Sequence, residues 1–113
     1  MFVIGNDDSV KVNKGDAVSF NVNYSPASSL KFETGDTLTL QIKKASNQAG
    51  YVKEKVFTVF DAETGFNVNL SSAENDLPVG EYVYTLKKTD IGLDVVTIFP
   101  ELAGQLAKWV VYE

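Results

Sequence analysis

The chain has 113 residues, with no cysteine, no histidine and only three prolines. Without cysteine, the protein has neither disulfides nor thiolate ligands for a metal. Without histidine, it lacks the commonest general base and the commonest transition-metal ligand. These absences exclude Ser-His-Asp and Cys-His nucleophilic sites, and we expect no cofactor and no enzymatic activity.

Positive charge and long apolar runs are also scarce. Ten basic residues are opposed by fifteen acidic ones, so the net charge is −5. An acidic protein is unsuited to a phosphate-rich surface, and no apolar run has membrane-spanning length. The N-terminal residues lack the basic region of a signal peptide. We therefore expect partners other than nucleic acid or membrane, such as other proteins or neutral sugars.

What the chain does contain is a series of short alternating segments separated by turns. Apolar side chains recur at every second residue in Val18–Val22, Leu38–Ile42 and Phe66–Leu70, which is the period of a half-buried strand. Turn sequences such as Asn13–Asp16 and Glu33–Asp36 separate these segments. The pattern predicts one domain over residues 1–113, an all-β, immunoglobulin-like antiparallel β-sandwich of about seven to eight strands.

The segment 51–60 alternates in an unusual way. Lys53 and Lys55 share their parity with Phe57 and Val59, so charged and apolar side chains are expected on one side of the strand. Either a bulge lies near Val56, or the second half of the strand is covered on both faces. Two lysines on one strand are also typical of a sheet edge that resists further pairing.

The segment that precedes the longest strand resembles a structural corner. Ser71–Glu74 has the sequence of a capping box, sufficient for one helical turn at most. Pro78 and Gly80 then introduce a strand that begins at Tyr82. We predict that the Tyr82 hydroxyl bonds to the backbone a few residues upstream, as in a tyrosine corner, with Asp76 and Gly80 as the other corner residues.

The C-terminal part predicts a final hairpin formed by residues 93–99 and 106–112. Both arms are apolar on both faces, as in strands that are covered on each side. Because aromatic residues are enriched at the centres of interfaces, we expect this hairpin to meet another subunit. The alternative is that the tryptophan belongs to the core and that a loop covers one arm. The interface candidates are Val96, Ile98, Trp109 and Val111.

Acidic residues offer two further site hypotheses. Asn6–Asp8 and Glu74–Asp76 could supply oxygen ligands to calcium, but their spacing matches no recognised loop and such residues are ordinary in turns. Glu54, Glu63 and Glu81 could in principle provide a carboxylate pair for glycoside hydrolysis. Nothing in the sequence brings two of them together, and we expect solvated surface carboxylates and no metal site.

Exposed tyrosines provide the alternative function. Tyr24, Tyr51 and Tyr112 lie near predicted strand ends, where loops commonly carry function. Their rings could stack on sugars, which would make the protein a small carbohydrate-binding module for cell-surface polysaccharide. The same residues could equally be rim residues of the core that bind no ligand.

Several segments together resemble a known family. They are Val10–Asp16, Phe20, Gly35–Asp36, Leu38–Lys44 and Leu77–Tyr84. With these segments, the chain is similar to the N-terminal domain of baseplate upper proteins of tailed phages that infect Gram-positive bacteria, and of their prophages.

The resemblance implies a virion structural module, made in the host cytoplasm, that docks onto other virion proteins. Its expected partners are those proteins or further copies of itself in a homo-oligomer. Members of that family generally continue into longer C-terminal parts, whereas this chain stops at its last strand. We therefore expect docking or decoration of a baseplate, tail fibre or head, and we do not expect receptor binding.

Overall fold

The computed structural model describes residues 2–4, 9–22, 32–45, 50–61, 63, 65–99 and 107–113. Within these residues the chain forms nine β-strands and no helix, which confirms the predicted all-β class. No membrane-spanning helix occurs in this part of the chain. The strands are β1 (Phe2–Ile4), β2 (Val10–Asn13), β3 (Val18–Val22), β4 (Thr37–Lys43), β5 (Lys53–Phe57), β6 (Phe66–Leu70), β7 (Gly80–Thr89), β8 (Val95–Phe99) and β9 (Ala107–Tyr112).

The strands form a large sheet and a small one. The large sheet has the order β1-β2-β9-β7-β4-β5, with β8 also paired to β7, and the small sheet pairs β3 with β6. Most pairs are antiparallel, but β2 and β9 are parallel, so the prediction of a purely antiparallel sandwich is wrong at this pair. Strand β1 was not among the predicted strands, because three residues are too few to show an alternating pattern.

The predicted final hairpin is also wrong. Strand β8 pairs antiparallel with β7 at Leu86–Thr89, whereas β9 pairs with β7 at Gly80–Tyr84. Both fit on one edge of β7 because β7 is ten residues long. The β7–β8 pairing contains a change of register between Leu86 and Lys87. The true hairpin is therefore β7–β8.

The pairings β4-β7-β9 and β3-β6 correspond to the C-F-G and B-E pairings of an immunoglobulin-like sandwich. Strand β2, however, pairs with β9 and not with β3. The immunoglobulin-like topology remains a prediction, while the β-sandwich class is shown.

One hydrophobic cluster joins the two sheets. The inward residues of β4 and β7 contribute Leu38, Leu40, Tyr84 and Leu86, and those of β6 include Phe66, all fully buried or nearly so. Every second strand residue faces inward, so strand alternation builds most of this core, and Phe32 and Leu77 add to it from outside the strands. The intervening side chains of β4 and β7 form the outer face of the large sheet.

The register gives the sandwich two distinct ends. Thr37 pairs with Thr89 and Thr89 with Val95, so the start of β4, the end of β7 and the start of β8 lie level. We call this the hairpin end, and it carries the turns at 33–36 and 90–94 and the Asp61–Gly65 turn. The opposite end, called the crossover end, carries the turn at 13–16, the segment 71–79 and the end of β9.

Strand β5 is an edge of the large sheet, as its lysines predicted. Its register with β4 is continuous from Lys53 to Phe57, so no bulge occurs in it. Lys53, Lys55 and Phe57 therefore point to the inner side together. An inward-pointing charge at an edge is a known means of preventing further strand addition.

Candidate functional site

The predicted tyrosine bond is present at the crossover end. The Tyr82 hydroxyl donates a hydrogen bond to the backbone oxygen of Pro78 at 2.7 Å, and its ring is buried. Gly80 begins the strand with a φ of +155°, a conformation that residues with a Cβ rarely adopt. The entry to β7 is thus fixed four residues upstream of the tyrosine, in the manner of a tyrosine corner.

Asp76 does not hold this crossover, contrary to the prediction. Its side chain is mostly exposed and forms an ion pair with Lys53 at 3.0 Å. The residue that holds the crossover is Asn75, which is 1 % exposed. The Asn75 side-chain nitrogen donates to the backbone oxygens of Asn13 at 3.1 Å and Asp16 at 2.7 Å. Sequence reasoning missed Asn75 because an asparagine in a turn gives no signal of burial.

The capping box forms as the sequence predicts. The Ser71 backbone nitrogen donates to the Glu74 carboxylate at 2.9 Å, and the Glu74 nitrogen donates to the Ser71 hydroxyl at 3.2 Å. Lys55 also donates to that carboxylate at 2.8 Å. The hydrogen bond from Lys55, followed by that from Ser71, lowers the pKa of Glu74 from 4.5 to about 2.

These contacts leave the acidic turn unsuited to calcium. Glu74 is bound to Lys55, and the hydrogen bond from Lys53 lowers the pKa of Asp76. The described residues contain no group of three or more carboxylates placed to hold a metal. Asn6–Asp8, the other calcium hypothesis, lies outside the described residues.

The carboxylate hypothesis for glycoside hydrolysis also finds no cleft. Glu54 pairs with Gln41, and Gln41 with Thr85, four residues along β7 from Glu81. Glu54 and Glu81 are therefore two strands apart and out of register, while Glu63 lies at the hairpin end. The register does not bring any two of the three carboxylates together.

Two of the four interface candidates lie in the core. Trp109 and Val111 are 0 % and 1 % exposed, because β9 alternates and both residues face inward. The Trp109 ring packs edge-on against Tyr84, with centroids 5.5 Å apart. The proposal that these two residues form an outward-facing anchor is wrong. Val96 is partly buried, and the side chain of Ile98 lies outside what the structure describes.

The turn between β7 and β8 has an unusual backbone. Asp90 and Asp94 close it, since the Asp90 nitrogen donates to the Asp94 oxygen at 3.0 Å and the Leu93 nitrogen donates to the Asp90 oxygen at 3.0 Å. The Asp94 nitrogen also donates to the Asp90 carboxylate at 2.9 Å. Leu93 has a φ of +68°, the left-handed conformation that hairpins of this length ordinarily give to glycine. It is the one residue other than glycine with a positive φ in the described part of the chain.

Leu93 belongs to an apolar surface at the hairpin end. Three apolar side chains of the β7–β8 turn and the start of β8 are each more than half exposed. Ile91 lies close to Gly35, where an added Cβ would come within 2.5 Å of the Ile91 Cδ1 atom. We name this set the hairpin patch: Ile91, Leu93 and Val95.

A second, less exposed surface lies at the crossover end. Its large apolar side chains are each about half exposed. The Lys43 ammonium lies 5.2 Å from the centroid of the Tyr51 ring. We name this set the crossover patch: Tyr51, Val52, Val79 and Tyr112.

Carbohydrate contacts have two possible locations. Tyr51 and Tyr112 are accessible in the crossover patch, whereas Tyr24 lies outside the described residues. A groove of about 430 Å³ also opens between β5 and β6, with amide, hydroxyl and carboxylate groups among its walls. Its polar lining comes from Thr58, Asp61, Asn67 and Asn69.

Comparisons with family models, with curated proteins and with solved structures found no match for this chain. The resemblance to baseplate upper proteins therefore remains a prediction.

Proposed function

We propose that the chain is a non-enzymatic docking module that acts through protein–protein contacts at the hairpin patch. Following the resemblance of its sequence, we propose further that it is a structural component of a phage or prophage virion. Its mechanism is the burial of an apolar hairpin tip against a partner, with the polar turns around the tip setting the orientation.

The observation that carries this proposal is Leu93. Its side chain is 79 % exposed, so it contributes little to the core. Its backbone is in a conformation that costs a residue with a Cβ about 1–2 kcal/mol. Gly92 directly precedes it and has no positive φ, so the glycine does not occupy the position that requires one. Folding favours neither the exposure nor the conformation of Leu93, and a contact outside the chain explains both.

The chemistry of the hairpin patch favours a protein partner over a sugar. Its three side chains are aliphatic, and none has a ring on which a sugar could stack. Full burial of an aliphatic side chain of this size stabilises a complex by about 1.5–3 kcal/mol. Aliphatic residues grouped on a hairpin tip therefore supply affinity only when a partner removes them from water.

Purified phage particles provide a direct test of this function. The particles are induced from a culture of the source organism, purified by density-gradient centrifugation and analysed by mass spectrometry for the presence of the chain. Hydroxyl-radical labelling then compares the exposure of side chains in the free chain and in the particle-bound chain. We expect the chain in the particles, with Ile91 and Leu93 protected from labelling. Its absence from the particles would remove the virion assignment. Full labelling of both residues in the particle would remove the docking surface.

A carbohydrate-binding module is the second candidate, supported by the accessible rings of Tyr51 and Tyr112. Titration with cell-wall and capsular polysaccharides distinguishes the two functions. Saturable binding that is lost in Tyr51→Ala and Tyr112→Ala, but kept in Leu93→Gly, would favour the sugar function. Absence of saturation would leave the docking function.

A further inference from the structure

We infer that the partner of the hairpin patch is a second copy of this chain, bound through its crossover patch, so that copies associate head to tail. This inference rests on the proposed docking function and names its partner. The two patches lie at opposite ends of the sandwich, so each copy offers one of each.

The hairpin end is strongly acidic. Within the described residues, six carboxylates lie on its turns and strand ends, against two lysines. One of those lysines, Lys88, is 3.8 Å from the buried carboxylate of Asp36. The negative charge therefore exceeds the positive charge around the hairpin patch. The six carboxylates belong to Glu33, Asp36, Asp61, Glu63, Asp90 and Asp94.

The complementary charge lies on one side of the crossover end, where β4 leads to β5. Elsewhere at that end the carboxylates offset the lysines: Asp16, Glu74, Asp76, Glu81 and Glu113. Lys43 and Lys44 form no salt bridge in the described part of the chain. Lys43 instead lies against the Tyr51 ring, inside the crossover patch. An apolar surface with lysines beside it matches an apolar surface with carboxylates beside it.

Charge also disfavours the symmetric alternative. Two hairpin ends facing each other across a two-fold axis would bring their carboxylates together, and juxtaposed like charges oppose association. A head-to-tail contact avoids this repulsion. Such a contact joins two different surfaces and closes into a ring or continues as a filament, depending on the rotation between copies.

The size of the molecule permits such a contact. Its two shorter dimensions are 28 and 24 Å, so an end face is comparable to the roughly 800 Å² per partner of a standard interface. Strand β7 alone is ten residues long, or roughly 33 Å. The long axis of 39 Å thus follows the strands and leaves the two ends free to meet.

Two variants, each disabling one end, test the inference. The hairpin variant carries Leu93→Gly and Val95→Thr, and the crossover variant carries Lys43→Glu and Lys44→Glu. Sedimentation is measured over a range of protein and salt concentrations. We expect the average mass of the wild type to rise with protein concentration and to fall with added salt. Each variant alone should remain monomeric, with an association constant reduced at least about tenfold.

The equimolar mixture of the two variants is the decisive sample. The hairpin variant retains an intact crossover end, and the crossover variant retains an intact hairpin end. The mixture should therefore form one-to-one dimers and nothing larger, whereas a two-fold contact predicts no such pairing. Circular dichroism checks the fold, and the single changes Leu93→Gly and Lys44→Glu replace a double variant that is not folded.

Three results would overturn the inference: a monomeric wild type at every concentration, variants that associate like the wild type, or a mixture that grows beyond dimers. The docking function has its own test, because labelling of the hairpin patch in particles does not depend on self-association. Protection in particles together with a monomeric wild type would retain docking and assign the partner to another virion protein.

Discussion

The two ends of the sandwich are built in contrasting ways. At the crossover end, side chains bond to the backbone, as the Tyr82 hydroxyl does to Pro78 and the Asn75 amide to Asn13 and Asp16. At the hairpin end, Ile91 and Leu93 extend their apolar side chains into water. The contrast indicates that the buried hydrogen bonds of the crossover end stabilise the fold, whereas Ile91 and Leu93 contribute little to it.

The largest expected effect is a loss of stability on substitution at the crossover end. Asn75→Ala removes two hydrogen bonds that a buried amide donates to the backbone, so we expect a loss of about 2–3 kcal/mol in the free energy of unfolding. Urea unfolding measures it. Asn21→Ala is the matched control, because that exposed amide accepts a hydrogen bond from Asn67 on the outer face of the small sheet. A difference below about 0.5 kcal/mol between the two variants would contradict the role of Asn75.

A smaller loss is expected at the corner itself. Tyr82→Phe removes the hydroxyl that bonds to Pro78 and keeps the buried ring, so the free energy of unfolding should fall by about 1 kcal/mol. Tyr112→Phe, at a half-exposed ring, should leave it unchanged. Equal unfolding midpoints in urea for both variants would show that the corner bond does not stabilise the fold.

A substitution at the hairpin end should increase the stability of the fold. Leu93→Gly relieves the left-handed conformation at some cost in chain entropy, so we expect a gain of about 0.5–1 kcal/mol in stability together with weaker association. Leu93→Ala is the control, because alanine shortens the side chain but retains the strain. Thermal unfolding and sedimentation provide the two measurements. A less stable Leu93→Gly protein would show that the leucine serves the fold.

The smallest expected effect is on the stability of the fold at low pH. The pKa of Glu74 is lower in the folded protein than its ordinary value of 4.5, so the unfolded chain takes up the proton first as the pH falls. Stability from this group is full above pH 4.5 and is lost towards about pH 2. Glu74→Gln should flatten the stability profile in that range, while Asp76 contributes equally to both proteins. Parallel profiles for wild type and variant would refute the contribution of Glu74.

Periodicity predicted the strands better than it predicted their partners. Alternation located β3, β4 and β6 because one face of each strand enters the core, whereas β8 and β9 were located by their apolar content. It could not show that β8 joins β7, since the length of β7 decides that pairing in three dimensions. It also could not assign the faces of β9, where apolar residues on both sides hide which one contains Trp109.

The roles of individual turn residues were the hardest to foresee. Asn75 is a turn residue in sequence and a buried one in space, and its role depends on the distant turn at Asn13–Asp16. The sequence pattern would assign the positive φ of the hairpin to Gly92, whereas Leu93 adopts it. The tyrosine corner was predictable because its signal is local: proline, glycine and tyrosine within five residues.

The inward lysines of β5 have a consequence for the shape of any assembly. Lys55 donates to the Asn69 backbone oxygen at 3.0 Å and to Glu74 at 2.8 Å, so its charge is satisfied only while the edge of β5 stays unextended. A foreign strand aligned there would have to displace this bonding. The β5 edge of the large sheet is thereby protected against the addition of a further strand, so an assembly does not grow as a templated fibre through this edge.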